Sequence, residues 1–97
     1  GCTMCAPGSL VTVRAWLFTE SHFPLAGHLI ADLLLPDGST EPLISEDIVV
    51  SGDPDAILVL RTVVAADSPV GRYSVRAYVV RHGVIVDQDE TRLLRIP

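Results

Sequence analysis

The chain has 97 residues, which suits one domain with one hydrophobic core. Its formal net charge is −5, with seven arginines and no lysine, so it repels phosphate and is expected to bind neither nucleic acid nor an anionic membrane surface. Although 48% of its residues are hydrophobic, no apolar run reaches the roughly 20 residues that a transmembrane helix needs, and no membrane span is expected.

The beginning of the chain predicts strands separated by a loop. Residues 1–9 are expected to form a tail or the remnant of a first strand, because they are few and include a proline and a glycine. Over residues 10–18, apolar and polar positions alternate as in a half-buried strand. A loop over residues 19–27 and a strand over residues 28–35 follow. In the strand over residues 10–18, the inward positions are Val11, Val13, Ala15 and Leu17, and the outward ones include Thr12, Arg14 and Trp16.

Two turns divide the middle of the chain. The run 36–39, Pro-Asp-Gly-Ser, is a strong turn signal, since proline fixes φ, aspartate bonds to nearby backbone and glycine accepts a positive φ. Short strands over residues 40–44 and 48–50 are expected after it. A second turn over residues 52–55 precedes a strand over residues 56–64, with Leu58, Leu60 and Val64 facing inward.

The last third of the chain contains the clearest strand. Residues 72–81 alternate strictly, with Tyr73, Val75, Ala77 and Val79 facing inward. His82 and Gly83 predict a tight hairpin, and one long, bulged final strand is expected over residues 84–96. About seven strands at this spacing predict an all-β sandwich or barrel.

Two runs of the sequence resemble bacterial immunoglobulin-like domains, including the macroglobulin-type modules of secreted and surface proteins. Residues 67–75 (Asp-Ser-Pro-Val-Gly-Arg-Tyr-Ser-Val) are similar to the Pro-x-Gly-x-Tyr-x-Val entry into the sixth strand of those domains. Residues 23–27 (Phe-Pro-Leu-Ala-Gly), followed by a strand and by Pro-Asp-Gly at 36–38, are similar to the passage from their second to their third strand.

The resemblance covers residues 10–96 and implies an immunoglobulin-like antiparallel β-sandwich of about seven strands. The domain would then occupy residues 10–97, with residues 1–9 as the tail or first-strand remnant. It also implies a non-catalytic structural or protein-interaction module of an exported multidomain bacterial protein. Such a protein would be secreted, periplasmic or at the cell surface.

Cys2 and Cys5 form a Cys-x-x-Cys pair that admits several interpretations. A thioredoxin-like redox site would need a βαβ context that the sequence lacks. With His22 and His28 the spacing superficially resembles a zinc site, but a predicted strand separates the pairs and no helix carries the histidines. Gly1-Cys2 also matches the end of a lipobox, so a lipid-modified Cys2 and a vestigial terminus both stay open. A disulfide between the cysteines would close a very small loop and add little stability.

No catalytic residue and no cofactor are expected. The three histidines lie at predicted loops or strand ends, and Glu20, Ser21 and His22 are only neighbours in sequence, which does not make a triad. The acidic runs over residues 53–55 and 87–90 have clustered loop carboxylates of the kind that calcium prefers. Neither contains the Asp-x-Asp-x-Asp-Gly loop, so no metal site is expected.

The candidate contact face lies on the outer side of two strands that are neighbours in a sandwich, those over residues 10–18 and 56–64. An outward apolar patch of this kind exceeds the scattered exposed residues of a monomer. Two alternatives stay open: a bulge inverts one strand so that its residues are core, or a first strand covers the patch. The members of the face are Trp16, Phe18, Ile57, Val59 and Val63.

The expected partner is a protein, either a second copy or a neighbouring domain, with Trp16 as the anchor. The alternative function is a carbohydrate-binding module of the same fold that stacks a glycan on Trp16, Tyr73 or Tyr78. Polar neighbours around an exposed Trp16 would favour the glycan, and aliphatic neighbours favour the protein.

Overall fold

The computed structural model describes residues 2–18, 24–52 and 55–97, apart from the side chain of residue 55, and all its regular elements in these ranges are β-strands. They form a five-stranded sheet in the order β1-β7-β6-β3-β4 and a two-stranded sheet, β2-β5. The all-β class is confirmed, and the two sheets are compatible with a β-sandwich. The strands are β1 (Met4–Cys5), β2 (Leu10–Leu17), β3 (Leu25–Leu34), β4 (Thr40–Val50), β5 (Asp55–Val63), β6 (Gly71–Arg81) and β7 (Val84–Arg95).

A single hydrophobic core lies between the two sheets, because each sheet contributes alternate residues to it. The predicted inward positions of β2 are all confirmed as buried, and so are three of the four predicted for β6, while Tyr73 is half-buried. In β3, Leu29 and Ala31 are fully buried. In the parts of the chain that the structure describes, no helix is long and apolar enough to cross a membrane.

The turn between β3 and β4 has the predicted chemistry. Gly38 has a φ of 88°, and its N–H donates to the carbonyl of Leu35 at 3.0 Å. Asp37 Oδ1 accepts hydrogen bonds from the hydroxyl of Ser39 at 2.6 Å and from its backbone N–H at 2.9 Å. Both bonds favour the carboxylate and lower the pKa of Asp37.

The expectation of two short strands after this turn is wrong, since β4 is one strand along the free edge of the large sheet. A register shift relative to β3 places Ala31 opposite Ile44 and Asp32 opposite Pro42. The extra residue on β4, Leu43, forms the bulge that continues the strand past a proline. Proline is tolerated there because bulges and edge strands do not need every ladder N–H.

The facing expected for β5 is wrong from Ile57 to Val59, and a bulge is the reason; beyond the bulge, Leu60 and Val64 pack against the core as expected. Val13 pairs with Leu60 whereas Arg14 pairs with Leu58, so Val59 is an extra residue on β5. Val59, expected outside, is only 6% exposed, and Leu58, expected inside, is 47% exposed. Ile57 lies opposite the buried Ala15 and packs against the core. The bulge alternative is therefore confirmed for Ile57 and Val59.

The hairpin and the final strand are confirmed. His82 and Gly83 have φ values of 51° and 76°, as in a two-residue turn with both central residues left-handed. β7 is one long strand, and a register shift relative to β6 leaves Val86 as its extra residue.

The entry into β6 ties the loop before it to both sheets. The Tyr73 hydroxyl donates to the carbonyl of Pro69 at 2.7 Å, and burial raises the pKa of Tyr73. Gly71 has a φ of 140°, and a Cβ there would lie 3.0 Å from Pro36, so glycine is needed at this turn.

Arg95 of β7 is a buried cation that the sequence did not reveal. It is 6% exposed, and its guanidinium donates to the carbonyls of Ile96 at 2.7 Å and Ala66 at 3.1 Å. Its Nε donates to the Ser68 hydroxyl at 3.1 Å. These bonds satisfy a charge that would otherwise be costly to bury, and they fix the 65–68 turn against the end of the large sheet.

Candidate functional site

The two-stranded sheet turns one side to the core and the other to solvent. The alternation of buried and exposed residues along β2 is unbroken, so its even-numbered side chains share the solvent side. The pairs Leu10–Val63 and Arg14–Leu58 lie on that side. We define the β2–β5 outer face by Leu10, Arg14, Trp16, Phe18, Leu58, Arg61 and Val63.

This face brings several exposed apolar residues together on one side of one sheet. Its five apolar members are between 44% and 59% exposed, and Trp16 has the largest value. Three residues of the predicted contact face, Trp16, Phe18 and Val63, belong to it. Ile57 and Val59 do not, because the bulge turns them inward, and Leu58 takes their place.

Trp16 lies among small and aliphatic neighbours with arginines nearby. On β5 it pairs with Ala56, whose small side chain leaves the ring uncovered from that strand, and the next outward position is Leu58. Arg14 precedes it by two residues on the same side of β2. The β2–β5 outer face thus combines an aromatic anchor and aliphatic residues with cations, in a chain of net charge −5.

The size of the face limits what it can do by itself. Two strands of eight or nine residues present a surface of roughly 30 Å by 10 Å, about 300 Å². A stable interface buries about 800 Å² on each partner. The face therefore suits a contact that other surfaces extend, such as the adjoining strand edge.

Two carboxylates of the five-stranded sheet accept hydrogen bonds from the backbone at the end of β2. The N–H of Trp16 donates to Asp89 Oδ2 at 2.8 Å, and the N–H of Phe18 donates to Asp87 Oδ2 at 2.7 Å. Asp87 and Asp89 lie opposite the buried Val79 and Ala77, so they are on the inward side of β7. Two carboxylates of the acidic run over residues 87–90 are thus engaged by backbone N–H groups.

The five-stranded sheet carries a hydrogen-bonded trio that sequence reasoning missed. His28 Nδ1 lies 2.9 Å from Asp47 Oδ1, and His28 Nε2 lies 2.7 Å from Ser45 Oγ, the order found in a Ser-His-Asp triad. The side chain of Asp47 is 95% exposed, so water screens its charge and competes for its hydrogen bond. In serine proteases the aspartate of the triad is buried, whereas Asp47 lies on a solvent-facing strand pair.

Further polar groups bond to one another elsewhere on that sheet, which also exposes the apolar residues Val49 and Ile85. Arg76 Nε donates to Asp32 Oδ1 at 3.0 Å, and the Ser74 hydroxyl donates to Glu90. Ser74 is 7% exposed, and it lies within this network on a strand that is paired on both sides. Tyr78 lines a shallow depression on β6 and β7 together with Arg76, Ile85, Gln88, Asp89 and Glu90.

Cys2 and Cys5 are joined by a disulfide bond, and Cys5 belongs to the core. A zinc site and lipid modification of Cys2 would both need sulfur that this bond uses. Among the described residues, no three histidine, cysteine, aspartate or glutamate side chains are grouped to hold a metal ion. Several residues considered for chemistry lie outside the described residues: Gly1, Glu20, Ser21, His22, Asp53 and the side chain of Asp55.

No family model matches this sequence, and no curated protein matches it.

Proposed function

We propose that this chain is a non-catalytic protein-interaction module with an immunoglobulin-like β-sandwich fold, and that the β2–β5 outer face is its contact surface. The observation that carries the proposal is the exposure of Trp16, 59%, near one end of an apolar side of a sheet. Exposed apolar faces of this kind mark interaction sites, and large aromatic residues supply much of the binding energy at interfaces.

Two features support the immunoglobulin-like fold. The antiparallel order β7-β6-β3 beside a separate β2-β5 pair fits the G-F-C and B-E strands of that fold. Tyr73, the third residue of β6, bonds back to the carbonyl of Pro69 as a tyrosine corner does. The chain lacks the buried tryptophan and inter-sheet disulfide of antibody domains, since Trp16 is outside and the cysteines pair locally.

The neighbours of Trp16 favour a protein over a glycan at this face. Ala56 and Leu58 are aliphatic, and such neighbours suit the apolar core of a protein–protein contact. An extracytoplasmic location is part of the proposal, and the Cys2–Cys5 disulfide supports it because such bonds persist in oxidising compartments.

Light scattering over a dilution series tests the contact surface. We expect the wild type to self-associate, and Trp16→Ala to weaken the dimer about tenfold or more. Val49→Ala is the matched control, because Val49 is 67% exposed but lies on β4 of the other sheet. Equal masses for the wild type and Trp16→Ala at every concentration would contradict the proposal.

Absence of catalysis is tested at the Ser45–His28–Asp47 trio. We expect a fluorophosphonate probe to leave Ser45 unmodified, because the trio is open to water. A Ser45 adduct in the mass spectrum that disappears in His28→Gln would contradict a non-catalytic role.

Carbohydrate binding is the second candidate, and the surroundings of Tyr78 favour it there rather than at Trp16. An aromatic ring flanked by Arg76, Gln88 and Glu90 offers a sugar one stacking face and several planar hydrogen-bonding groups. Titration with glycans, using Tyr78→Ala and Trp16→Ala side by side, separates the two sites. Binding that only Tyr78→Ala abolishes would support this candidate.

A further inference from the structure

A pocket of about 220 Å³ lies between the two sheets, at the end of the sandwich where β6 begins and β7 ends. Residues of both sheets and of the 65–68 turn line it. Several inward-facing residues at this end, among them Leu33, Leu60 and Leu93, pack against the core but are only half-buried, so the sandwich is open here. The apolar residues around this end pocket include Cys5, Val11, Leu33, Leu60, Val64 and Leu93.

One cation lies among these apolar groups. Arg95 lines the end pocket, and it faces inward because it follows Leu93 by two residues on β7. Its partner on β6 is Gly71, which has no side chain to occupy the space beside the guanidinium. Among the described residues, the groups that accept its hydrogen bonds are neutral, namely three backbone carbonyls and the Ser68 hydroxyl. These bonds offset much of the cost of burying the cation, but they supply no negative charge to pair with it.

The guanidinium of Arg95 also has donors left over. It carries five N–H groups, two of them on Nη1. Among the described residues, Nη1 donates to one acceptor, the carbonyl of Ile96 at 2.7 Å, so its second N–H is available. The bond from Nη2 to the carbonyl of Ala65 is 3.4 Å long, which is beyond the usual range of about 2.7–3.2 Å, and it is weak. Two neighbouring nitrogens can therefore donate to one carboxylate, in the paired geometry that arginine favours.

The size of the end pocket limits its ligand to a small molecule. An apolar cavity of about 150 Å³ holds benzene, so a pocket of about 220 Å³ has room for about six to eight carbons. A saturated chain of that length gains free energy by leaving water for the apolar lining. A small inorganic anion would gain nothing from that lining, and an alkane would gain nothing from Arg95.

We propose that the end pocket binds an aliphatic monocarboxylic acid of this size, with its alkyl chain between the sheets and its carboxylate on Arg95. The inference goes beyond the proposed function, because the pocket lies at the opposite end of the small sheet from Trp16. Val63, which lines the pocket, pairs with Leu10, whereas Trp16 pairs with Ala56. Trp16→Ala should therefore bind the acid as the wild type does, whatever that variant does to self-association.

NMR titration of the ¹⁵N-labelled wild type with hexanoate, butanoate and hexan-1-ol tests the two parts of the site. Hexanoate should bind about tenfold or more tightly than hexan-1-ol, which has the same chain length but no charge. Butanoate should bind about tenfold more weakly than hexanoate, because it buries two fewer methylenes. The amides that shift most should be those of residues 60–65 and 93–95. No shift with hexanoate at about 20 mM, equal affinities for hexanoate and hexan-1-ol, or shifts confined to other residues would overturn the inference.

Two variants test the assignment of chain and carboxylate. Val64→Phe adds a ring to a half-buried position in the pocket wall and should weaken hexanoate binding about tenfold or more. Val84→Phe is the matched control, because Val84 is exposed at the hairpin at the other end of β6 and β7. Arg95→Gln keeps amide donors for the backbone carbonyls but loses the charge, so it should remove the preference for hexanoate over hexan-1-ol.

The two variants also define what would contradict the site. Hexanoate binding that Val64→Phe leaves unchanged, or a preference for hexanoate that Arg95→Gln retains, would overturn the inference. Circular dichroism checks that each variant is folded. If Arg95→Gln does not fold, the comparison of hexanoate with hexan-1-ol on the wild type decides the role of the cation, and the residues that shift decide the place of the ligand.

Discussion

The two sheets bury one side each in the same core, but their outer sides differ. The large sheet also exposes apolar residues, Val49 among them, but its outer side carries polar groups that bond to one another as well: Arg76 pairs with Asp32, and His28 bonds to Asp47 and Ser45. On the small sheet the corresponding side carries exposed apolar residues, with Trp16 the most exposed of them. A side that binds water needs no partner, whereas an apolar side is stabilised by one. The difference identifies the small sheet as the side where we propose that this module makes contact.

The largest effect is expected where the two sheets meet. Tyr73 lines the end of the core. It lies there beside Leu60 of β5 and beside Val64, the residue that follows β5. Tyr73→Ala should lower the free energy of unfolding by about 3–5 kcal/mol, since it removes an aromatic ring and a hydrogen bond. Urea denaturation measures this loss. A value below about 1 kcal/mol would mean that Tyr73 does not hold the sheets together.

Val59 and Leu58 are neighbours on β5, and their side chains lie on opposite sides of the small sheet. Val59→Ala should destabilise the fold by about 1–3 kcal/mol because Val59 is buried. Leu58→Ala should change stability by about 0.5 kcal/mol or less, because Leu58 is on the solvent side. Urea denaturation measures the loss in free energy of unfolding for both variants. A larger loss for Leu58→Ala than for Val59→Ala would mean that Leu58 faces the core, as the sequence alone predicts.

A smaller effect is expected from the Tyr73 hydroxyl. Burial raises the pKa of Tyr73 above its ordinary value of 10.0 in the folded state. The unfolded chain therefore loses the Tyr73 hydroxyl proton at a lower pH than the folded chain does. The free energy of unfolding present below pH 10 should fall as the pH rises through the pKa that Tyr73 has in the folded state. Tyr73→Phe should lose about 1 kcal/mol at neutral pH with the hydrogen bond to Pro69. In denaturation experiments at alkaline pH, the free energy of unfolding of Tyr73→Phe should fall less steeply with pH than that of the wild type. An equally steep fall in both proteins would contradict this.

Strict periodicity is what made most of the fold predictable. In β2 every second residue is buried, and in β6 the buried apolar residues Val75, Ala77 and Val79 follow the same two-residue period of a strand. The turn over residues 36–39 and the hairpin at His82 and Gly83 follow from local φ preferences. These features depend on few distant residues.

The features that sequence reasoning missed depend on pairing across the fold. Val59 is inward only because β5 bulges against β2, and one extra residue reverses every facing on one side of it. The contact of His28 with Asp47 requires the register of a continuous β4. Asp89 reaches the edge of β2 from the other sheet, 73 residues away in sequence. Three of the five residues predicted for the contact face lie on it because β2 is regular at Trp16 and β5 regains its facing beyond the bulge, while the two nearest the bulge do not.

Fluorescence of Trp16, the single tryptophan of the chain, tests the contact surface most directly. Emission and acrylamide quenching are measured over a dilution series of the wild type. The account predicts a solvent-exposed indole at high dilution, with emission moving to shorter wavelength and quenching falling as concentration rises. A shielded indole at every dilution would place Trp16 in the core. An exposed indole at every concentration would contradict self-association through this face.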